Sequence, residues 1–107
     1  MGALPFDLQK RLFKAARDGP VENVLALVTE GADVVRFDAD GRTALHHAAY
    51  VGNVQTARVI LELGGDVHTP NAVGNTPLQY AAGYGHGAIV RVLVELGATY
   101  VNRARTE

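Results

Sequence analysis

The chain of 107 residues contains no cysteine, no serine and no tryptophan. Without cysteine there can be no disulfide, no thiolate zinc site and no thiol nucleophile. The missing serine removes a common hydroxyl nucleophile as well, so a large part of hydrolase chemistry is excluded. A reducing compartment is compatible with a cysteine-free chain, and the sequence predicts a location in the cytoplasm or the nucleus.

Strong net charge and long apolar segments are also missing. Ten basic and eleven acidic residues leave a formal charge of −1, so nothing favours binding to nucleic acid or to an anionic membrane. The apolar runs are short and interrupted by charge, and the first residues do not have the pattern of a signal peptide. The 48% of hydrophobic residues predict one soluble globular domain over residues 1–107.

The chain repeats itself with a period of 33 residues. Eleven residues between Gly41 and Gly64 recur identically 33 positions later, and the stretch before them joins the same register. The recurring residues of the second unit are Gly41, Thr43, Leu45, Ala48, Ala49, Gly52, Arg58, Val59, Glu62, Leu63 and Gly64. Three units in one register indicate a repeat architecture whose units bury their apolar faces only by stacking.

Each unit predicts a pair of helices. Thr43 and Thr76 follow a glycine turn and suit the N-cap of a first helix, and Pro77 suits its first position. Paired alanines in this helix allow close approach of another helix. Apolar residues at helical spacing then predict a second helix. We expect glycines to end the helices, namely Gly52 and Gly85 for the first ones and Gly64 and Gly97 for the second ones.

The segments "GRTALHHAA", "GNTPLQYAA" and "GGDVH" resemble the ankyrin repeat over roughly residues 8 to 102. The resemblance implies an all-α solenoid of about three helix–turn–helix repeats with hairpin connections, at about 8–38, 39–71 and 72–104, the first being an N-terminal cap. The chain departs from the family pattern at Ala44, Gly65, Gln79 and Thr99–Tyr100. These departures are local losses that leave the predicted fold unchanged.

The glycine-rich segment "GYGHG" could hold a phosphate at a helix N-terminus. However, no strand pattern precedes Gly83, and no Lys–Ser/Thr pair follows Gly87, so the setting of a phosphate loop is missing. Gly85–His86 lies in register with Gly52–Asn53. The segment is therefore predicted to be a turn between two helices, and no cofactor is expected.

Histidines and aspartates offer the candidates for metal binding or acid–base chemistry. His46 and His47 are adjacent, so on a helix their side chains diverge by about 100° and do not converge on one ion. By resemblance, His46 is the family's structural histidine, which hydrogen-bonds near Thr43. Asp38, Asp40 and Asp66 fit turns that bond their own backbone, and His68 and His86 are single loop residues. No metal site, no catalytic residue and no enzymatic activity are predicted.

The first helix carries a row of basic residues, Lys10, Arg11, Lys14 and Arg17. They could form a docking patch, but a terminal repeat also needs a charged outer face, and we favour that interpretation. The buried side of this capping repeat is predicted to be Phe6, Leu8, Leu12 and Phe13.

The resemblance implies binding of another protein through a concave groove formed by hairpin tips and inner helices. The chain would then act as an adaptor or as a small inhibitor or assembly factor. The position of each residue within the motif gives the predicted protein-binding set: Arg17, Asp18, Asp40, Arg42, Tyr50, Val51, Val73, Asn75 and Tyr84. Other residues expected near the groove are Ala39, Ala72, Gly83, Leu63 and Leu96.

Tyr50 and Tyr84 are the most distinctive members of this set, because neither occupies a position that the repeat needs for packing. They fall in different slots of the repeat, so they need not stack on each other. Tyrosine is enriched among residues that dominate interface energies. Two interpretations of the pair stay equally open: the tyrosines dominate the binding energy of an interface, or they are exposed incidentally.

The third unit ends with an apolar second helix, in which Val90 and Val94 add to the core stripe, and only ten residues follow Gly97. A free end of a solenoid is normally polar. Three alternatives follow: the chain is part of a longer array, the tail folds over the end, or the end docks against another subunit. The last alternative predicts self-association as a structural homo-oligomer.

Overall fold

The computed structural model describes residues 5–105, and the side chains of residues 7–96. Within that range there are six α-helices and no strand: α1 Pro5–Asp18, α2 Val21–Glu30, α3 Ala44–Val51, α4 Val54–Glu62, α5 Pro77–Gly83 and α6 Gly87–Arg105. They form three helix pairs joined by loops. The predicted all-α repeat architecture is confirmed.

The start of each inner helix follows directly from the local sequence. The hydroxyl of Thr43 accepts from the backbone N–H of His46, and the His46 ring accepts in return from the Thr43 N–H. Thr76 and Gln79 make the same reciprocal pair at α5, with Pro77 at the start of the helix. Each pair satisfies two amide groups that the helix itself cannot bond. The predicted N-caps are confirmed.

Three of the four glycines predicted to end helices, Gly52, Gly64 and Gly85, lie at or directly after the C-cap. Gly52 ends α3 with φ of 83°, a left-handed conformation that favours glycine. The prediction that Gly97 ends the last helix is wrong, because α6 continues to Arg105. A glycine inside a helix costs only about 1 kcal/mol, and no proline follows to stop the helix. The tail therefore extends α6 instead of folding back over the end.

The helices lie in two layers. The inner helices α1, α3 and α5 contact one another in sequence, and the outer helices α2, α4 and α6 do the same. The core lies between the layers, and its largest fully buried apolar side chains are Leu12, Leu45, Ile60, Leu61, Ile89 and Leu93. In the first pair Leu8, Leu12 and Phe13 are buried as predicted, while the side chain of Phe6 lies outside the described residues. Lys10, Arg11, Lys14 and Arg17 are exposed on α1.

Hairpin loops connect the pairs. In each loop one side-chain oxygen accepts hydrogen bonds from two backbone N–H groups and so holds the turn. Asp38 Oδ1 accepts from the N–H groups of Asp40 and Arg42, at 2.9 Å each. Asn71, one period later, does the same for Val73 and Asn75. The Ala72 N–H donates to the Asp40 carbonyl at 2.9 Å, so the second hairpin is fixed to the first. This ladder places the hairpin tips beside the inner helices.

Candidate functional site

Three tyrosines meet at the carboxyl ends of α3 and α5. The rings of Tyr50 and Tyr84 touch edge to face, with centroids 4.7 Å apart and an interplanar angle of 85°. Tyr80 lies 6.4 Å from Tyr50 and 6.1 Å from Tyr84. The expectation that Tyr50 and Tyr84 need not stack is therefore corrected. Tyr84 is the C-cap residue of α5, and its ring contacts Tyr50 of the neighbouring repeat.

Tyr80 was not among the predicted site residues, although it connects the cluster to the hairpins. Its hydroxyl accepts hydrogen bonds from Arg42 Nε at 3.0 Å and from Asn71 Nδ2 at 2.7 Å. The Arg42 guanidinium also lies 5.9 Å from the centroid of the Tyr80 ring. The repeat register could have identified Tyr80 as a site residue, since it occupies the same position in its repeat as His47 does one period earlier.

A chain of hydrogen bonds forms the other wall of the site. Arg17 Nη1 lies 3.1 Å from His47 Nδ1, and His47 Nε2 lies 2.9 Å from Asp38 Oδ2. Because a guanidinium can only donate, Nδ1 accepts and Nε2 carries the ring proton to Asp38. Both ring nitrogens of His47 are thus in use, which fixes the ring and positions Arg17 beside the tyrosines.

Two members of this hydrogen-bonded chain, His47 and Asp38, have shifted pKa values. Burial lowers the pKa of His47, and the charge of Arg17 adds to this, while Asp38 opposes both. Burial pushes the pKa of Asp38 upward, but hydrogen bonds from the Arg42 N–H, the His47 ring and the Asp40 N–H outweigh it, so that pKa is lowered. The folded protein therefore holds His47 neutral and Asp38 ionised at neutral pH.

Together these side chains enclose a surface cavity of about 340 Å³, lined by Arg17, Arg42, His47, Tyr50, Tyr80 and Tyr84. Four predicted residues, Arg17, Arg42, Tyr50 and Tyr84, line it. Asp40 lies beside it, 3.7 Å from Arg42 Nη1. Residues from three helices and one hairpin thus converge on one concave site.

The structure places the other predicted residues elsewhere. Asp18 faces the groove between α1 and α2. Val51 and Val73 are exposed, Val73 to 79%, but do not line the cavity. Asn75 has a structural contact, because its carbonyl accepts from His46 Nε2 at 2.8 Å.

His86 also joins two repeats, which the sequence did not indicate. It follows the turn that contains Gly85, and its Nε2 bonds the Tyr50 carbonyl at 3.0 Å. The segment "GYGHG" thus lies between α5 and α6 as a turn, as predicted. Among the described side chains, no group of three or more His, Cys, Asp or Glu residues comes together as a metal site would require.

Stability is expected to fall when the pH is lowered from about 7.5 to about 5.5, because an unfolded histidine binds a proton near pH 6.5. Burial lowers the pKa of His46 and of His47, so the folded state binds those protons only at lower pH. Below pH 6.5 each can remove up to about 1.4 kcal/mol per pH unit. Urea unfolding at several pH values measures the slope.

The matched variants for this experiment are His47→Gln and His68→Gln, since His68 is exposed in a turn. We expect a shallower pH dependence for His47→Gln than for His68→Gln, with the contribution of His46 remaining in both. Equal slopes in all three proteins would show that the protonation of His47 is not linked to folding.

Comparison with known proteins agrees with this architecture. The family model for ankyrin repeats, in three copies, matches residues 12–104. The chain belongs to the ankyrin-repeat family, whose repeats are generally protein–protein interaction modules and typically not enzymes. No curated protein sequence is significantly similar to the chain. None of the helices in the described part of the chain has the length and hydropathy needed to cross a membrane.

Proposed function

We propose that this chain binds a partner protein through the tyrosine-lined cavity, which we call the tyrosine groove: Arg17, Arg42, His47, Tyr50, Tyr80 and Tyr84. The observation that carries this proposal is the exposure of two tyrosines of the cluster, Tyr50 and Tyr84, which lie outside the buried core. Tyr50 is 47% exposed and Tyr84 is 56% exposed. Clustered exposed aromatics are typical of surfaces that a partner covers.

The groove is also held in place before any partner arrives. Arg42 and Asn71 fix the Tyr80 hydroxyl, and His47 fixes Arg17. Ordering a free side chain at an interface costs about 0.5–1.5 kcal/mol, so a fixed site binds with less entropic loss. This rigidity supports a role in recognition.

An adaptor and a small inhibitor or assembly factor would use the same groove. The two roles differ in whether the bound partner keeps its own activity, which an assay of the captured partner would measure. A location in the cytoplasm or the nucleus stays a prediction from the sequence, and microscopy of a fluorescent fusion would test it.

Replacing both tyrosines, Tyr50→Ala/Tyr84→Ala, is expected to weaken partner binding at least about 30-fold, since an energetically dominant interface residue is worth about 2 kcal/mol or more. Proteins captured by immobilised wild type from a cell extract would be compared quantitatively with those captured by the variant. The control is Leu25→Ala, which removes an apolar side chain of similar exposure (43%) on α2.

The proposal predicts a set of proteins retained by the wild type and by Leu25→Ala but lost by the double variant. Circular dichroism must show that both variants melt like the wild type. If the double variant captures the same proteins in the same amounts, the tyrosine groove is not the binding surface.

A second candidate function is self-association through the last helix pair. Val94 on α6 is 50% exposed, and Val90 beside it is only partly buried. No further helix pair covers this side of α6 among the described residues. An exposed apolar helix face at the end of a solenoid can be covered by a second copy of the chain.

If this face forms a dimer, Val94→Glu is expected to make the protein monomeric, because it places a charge inside the interface. Light scattering over a concentration series measures the mass. Val73→Glu, at an exposed hairpin position, is the control that should keep the wild-type mass. A wild type that stays monomeric at every concentration would remove this candidate.

A further inference from the structure

The charged side chains that line the tyrosine groove are all cationic. Two guanidinium groups, Arg17 and Arg42, line it, and no carboxylate is among the lining residues. The nearest acids are already engaged: Asp38 accepts from two backbone N–H groups and from His47. Asp40 lies 3.7 Å from Arg42 with a 69% exposed side chain, which makes it a weak surface pair. A ligand in the groove therefore meets guanidinium donors on the lining, whereas the two carboxylates lie outside it, and a ligand group that accepts hydrogen bonds suits this lining.

The hydroxyl of Tyr80 adds a directional donor. Both hydrogen bonds described for it are accepted by its oxygen, from Arg42 Nε and Asn71 Nδ2. A phenolic oxygen also carries one proton, and neither bond uses it. Two cationic or polar donors to the oxygen make that proton a better donor. A ligand acceptor in the groove can therefore bond Tyr80 as well as the guanidinium groups.

One side of the groove is aromatic, and the other is the polar wall that includes Arg17 and His47. Tyr50 and Tyr84 meet edge to face on the aromatic side, so an aromatic surface adjoins the guanidinium groups. A cationic ligand such as a lysine side chain would meet repulsion from two arginines. A peptide with an acidic side chain beside a bulky apolar one would match both the guanidinium groups and the tyrosine rings.

We infer that the tyrosine groove holds the carboxylate of an Asp or Glu side chain from the partner, with a neighbouring apolar residue packed against Tyr50 and Tyr84. The carboxylate lies between Arg17 and Arg42 and accepts from the Tyr80 hydroxyl. This inference rests on the proposed function, and it adds the chemistry of the partner segment. The recognised segment is acidic and apolar.

A display library of random, unphosphorylated peptides provides the probe. Peptides are selected on the wild type and counter-selected on Tyr50→Ala/Tyr84→Ala, so that only groove-dependent binders remain. We expect these binders to be enriched in Asp or Glu next to a large apolar residue. Synthetic versions of one binder, with its acidic residue kept or changed to the amide, are then titrated by fluorescence polarisation.

The decisive comparison is between two exposed arginines of α1. In the wild type, the change from acid to amide is expected to weaken binding about tenfold or more. Arg17→Gln should clearly reduce this difference, because only Arg42 and Tyr80 then remain to hold the carboxylate, whereas Arg11→Gln, outside the groove, should retain it in full. Circular dichroism confirms that both variants are folded.

The outcomes separate the two proposals. Groove-dependent binders without acidic enrichment, or an acid-to-amide effect that Arg17→Gln leaves intact, overturn the carboxylate site while protein binding by the groove stands. If the library yields no binder that depends on Tyr50 and Tyr84, both the carboxylate site and the proposed function fail.

Discussion

Gly41→Ala is expected to destabilise the protein by about 3 kcal/mol, whereas Gly74→Ala, the same change one period later, should cost only about 1 kcal/mol. Both glycines have positive φ, 76° and 91° respectively, so both variants carry the strain of a left-handed L-residue. Only at Gly41 would the new Cβ meet another hairpin. It would lie 2.6 Å from the backbone nitrogen of Ala72.

That contact falls where the two hairpins are joined by the hydrogen bond from Ala72 N–H to the Asp40 carbonyl. Backbone cannot move aside as a side-chain tip can, so the methyl group must separate the hairpins. At Gly74 nothing lies within 4 Å of the added Cβ, because no described hairpin follows it. The difference between the two variants therefore measures the cost of disturbing one hairpin contact.

Urea unfolding followed by circular dichroism gives the free energy of unfolding for the wild type and both variants. The slope of unfolding free energy against urea should be the same for all three if the array unfolds as one unit. Equal losses for Gly41→Ala and Gly74→Ala would mean that the hairpins do not pack as closely as the structure has them.

The helices could be predicted from the sequence because their signals are local. Thr43 and Thr76 start their helices with groups found three residues away, and the 33-residue period places both in equivalent settings. Periodicity then implied stacking, since a single helix pair has too little core to be stable alone. The all-α repeat architecture followed from these two facts.

The end of α6 could not be predicted in the same way. Gly64 and Gly97 are equivalent in the repeat, yet only the first lies at a helix end. In the second unit, residues 65–76 continue into a hairpin, and Gly41 packs against the backbone of Asn71 and Ala72. After Gly97 no proline follows, and α6 continues to Arg105, since a glycine inside a helix costs only about 1 kcal/mol.

The sequence predicted where the groove residues lie on the surface, but not which of their side chains contact one another. The repeat motif indicated Arg17, Arg42, Tyr50 and Tyr84 as surface residues of the inner side. Which side chains meet depends on the spacing of neighbouring repeats, and a sequence does not encode that locally. The link from Arg17 through His47 to Asp38 spans two repeats, and so does the bond from Arg42 to Tyr80.

The second large effect is expected for His46→Ala, which should destabilise the protein by about 3–4 kcal/mol. His46 is completely buried. Its Nδ1 accepts from the Thr43 N–H at 3.1 Å, so its other nitrogen carries the proton and donates to the Asn75 carbonyl at 2.8 Å. Alanine leaves a buried N–H and a carbonyl without these partners, and it leaves a cavity in the place of the ring.

Gln79→Ala is the matched control, because Gln79 holds the same slot in the next repeat. Gln79 is exposed, and among the described residues its side chain bonds Thr76, at the N-terminus of its own helix, so its loss should cost about 1 kcal/mol. A third variant, His46→Gln, separates the two functions of the histidine. A glutamine can restore the bond to Thr43, as Gln79 does for Thr76, and should recover about 1 kcal/mol relative to alanine.

All three variants are compared by urea unfolding at about pH 8, where an unfolded histidine, with a usual pKa of about 6.5, is neutral and proton uptake does not contribute. The expected order of stability is Gln79→Ala, then His46→Gln, then His46→Ala. If His46→Ala costs no more than Gln79→Ala, the bond to Asn75 adds nothing. The stacking of the second repeat on the third would then depend on the apolar core alone.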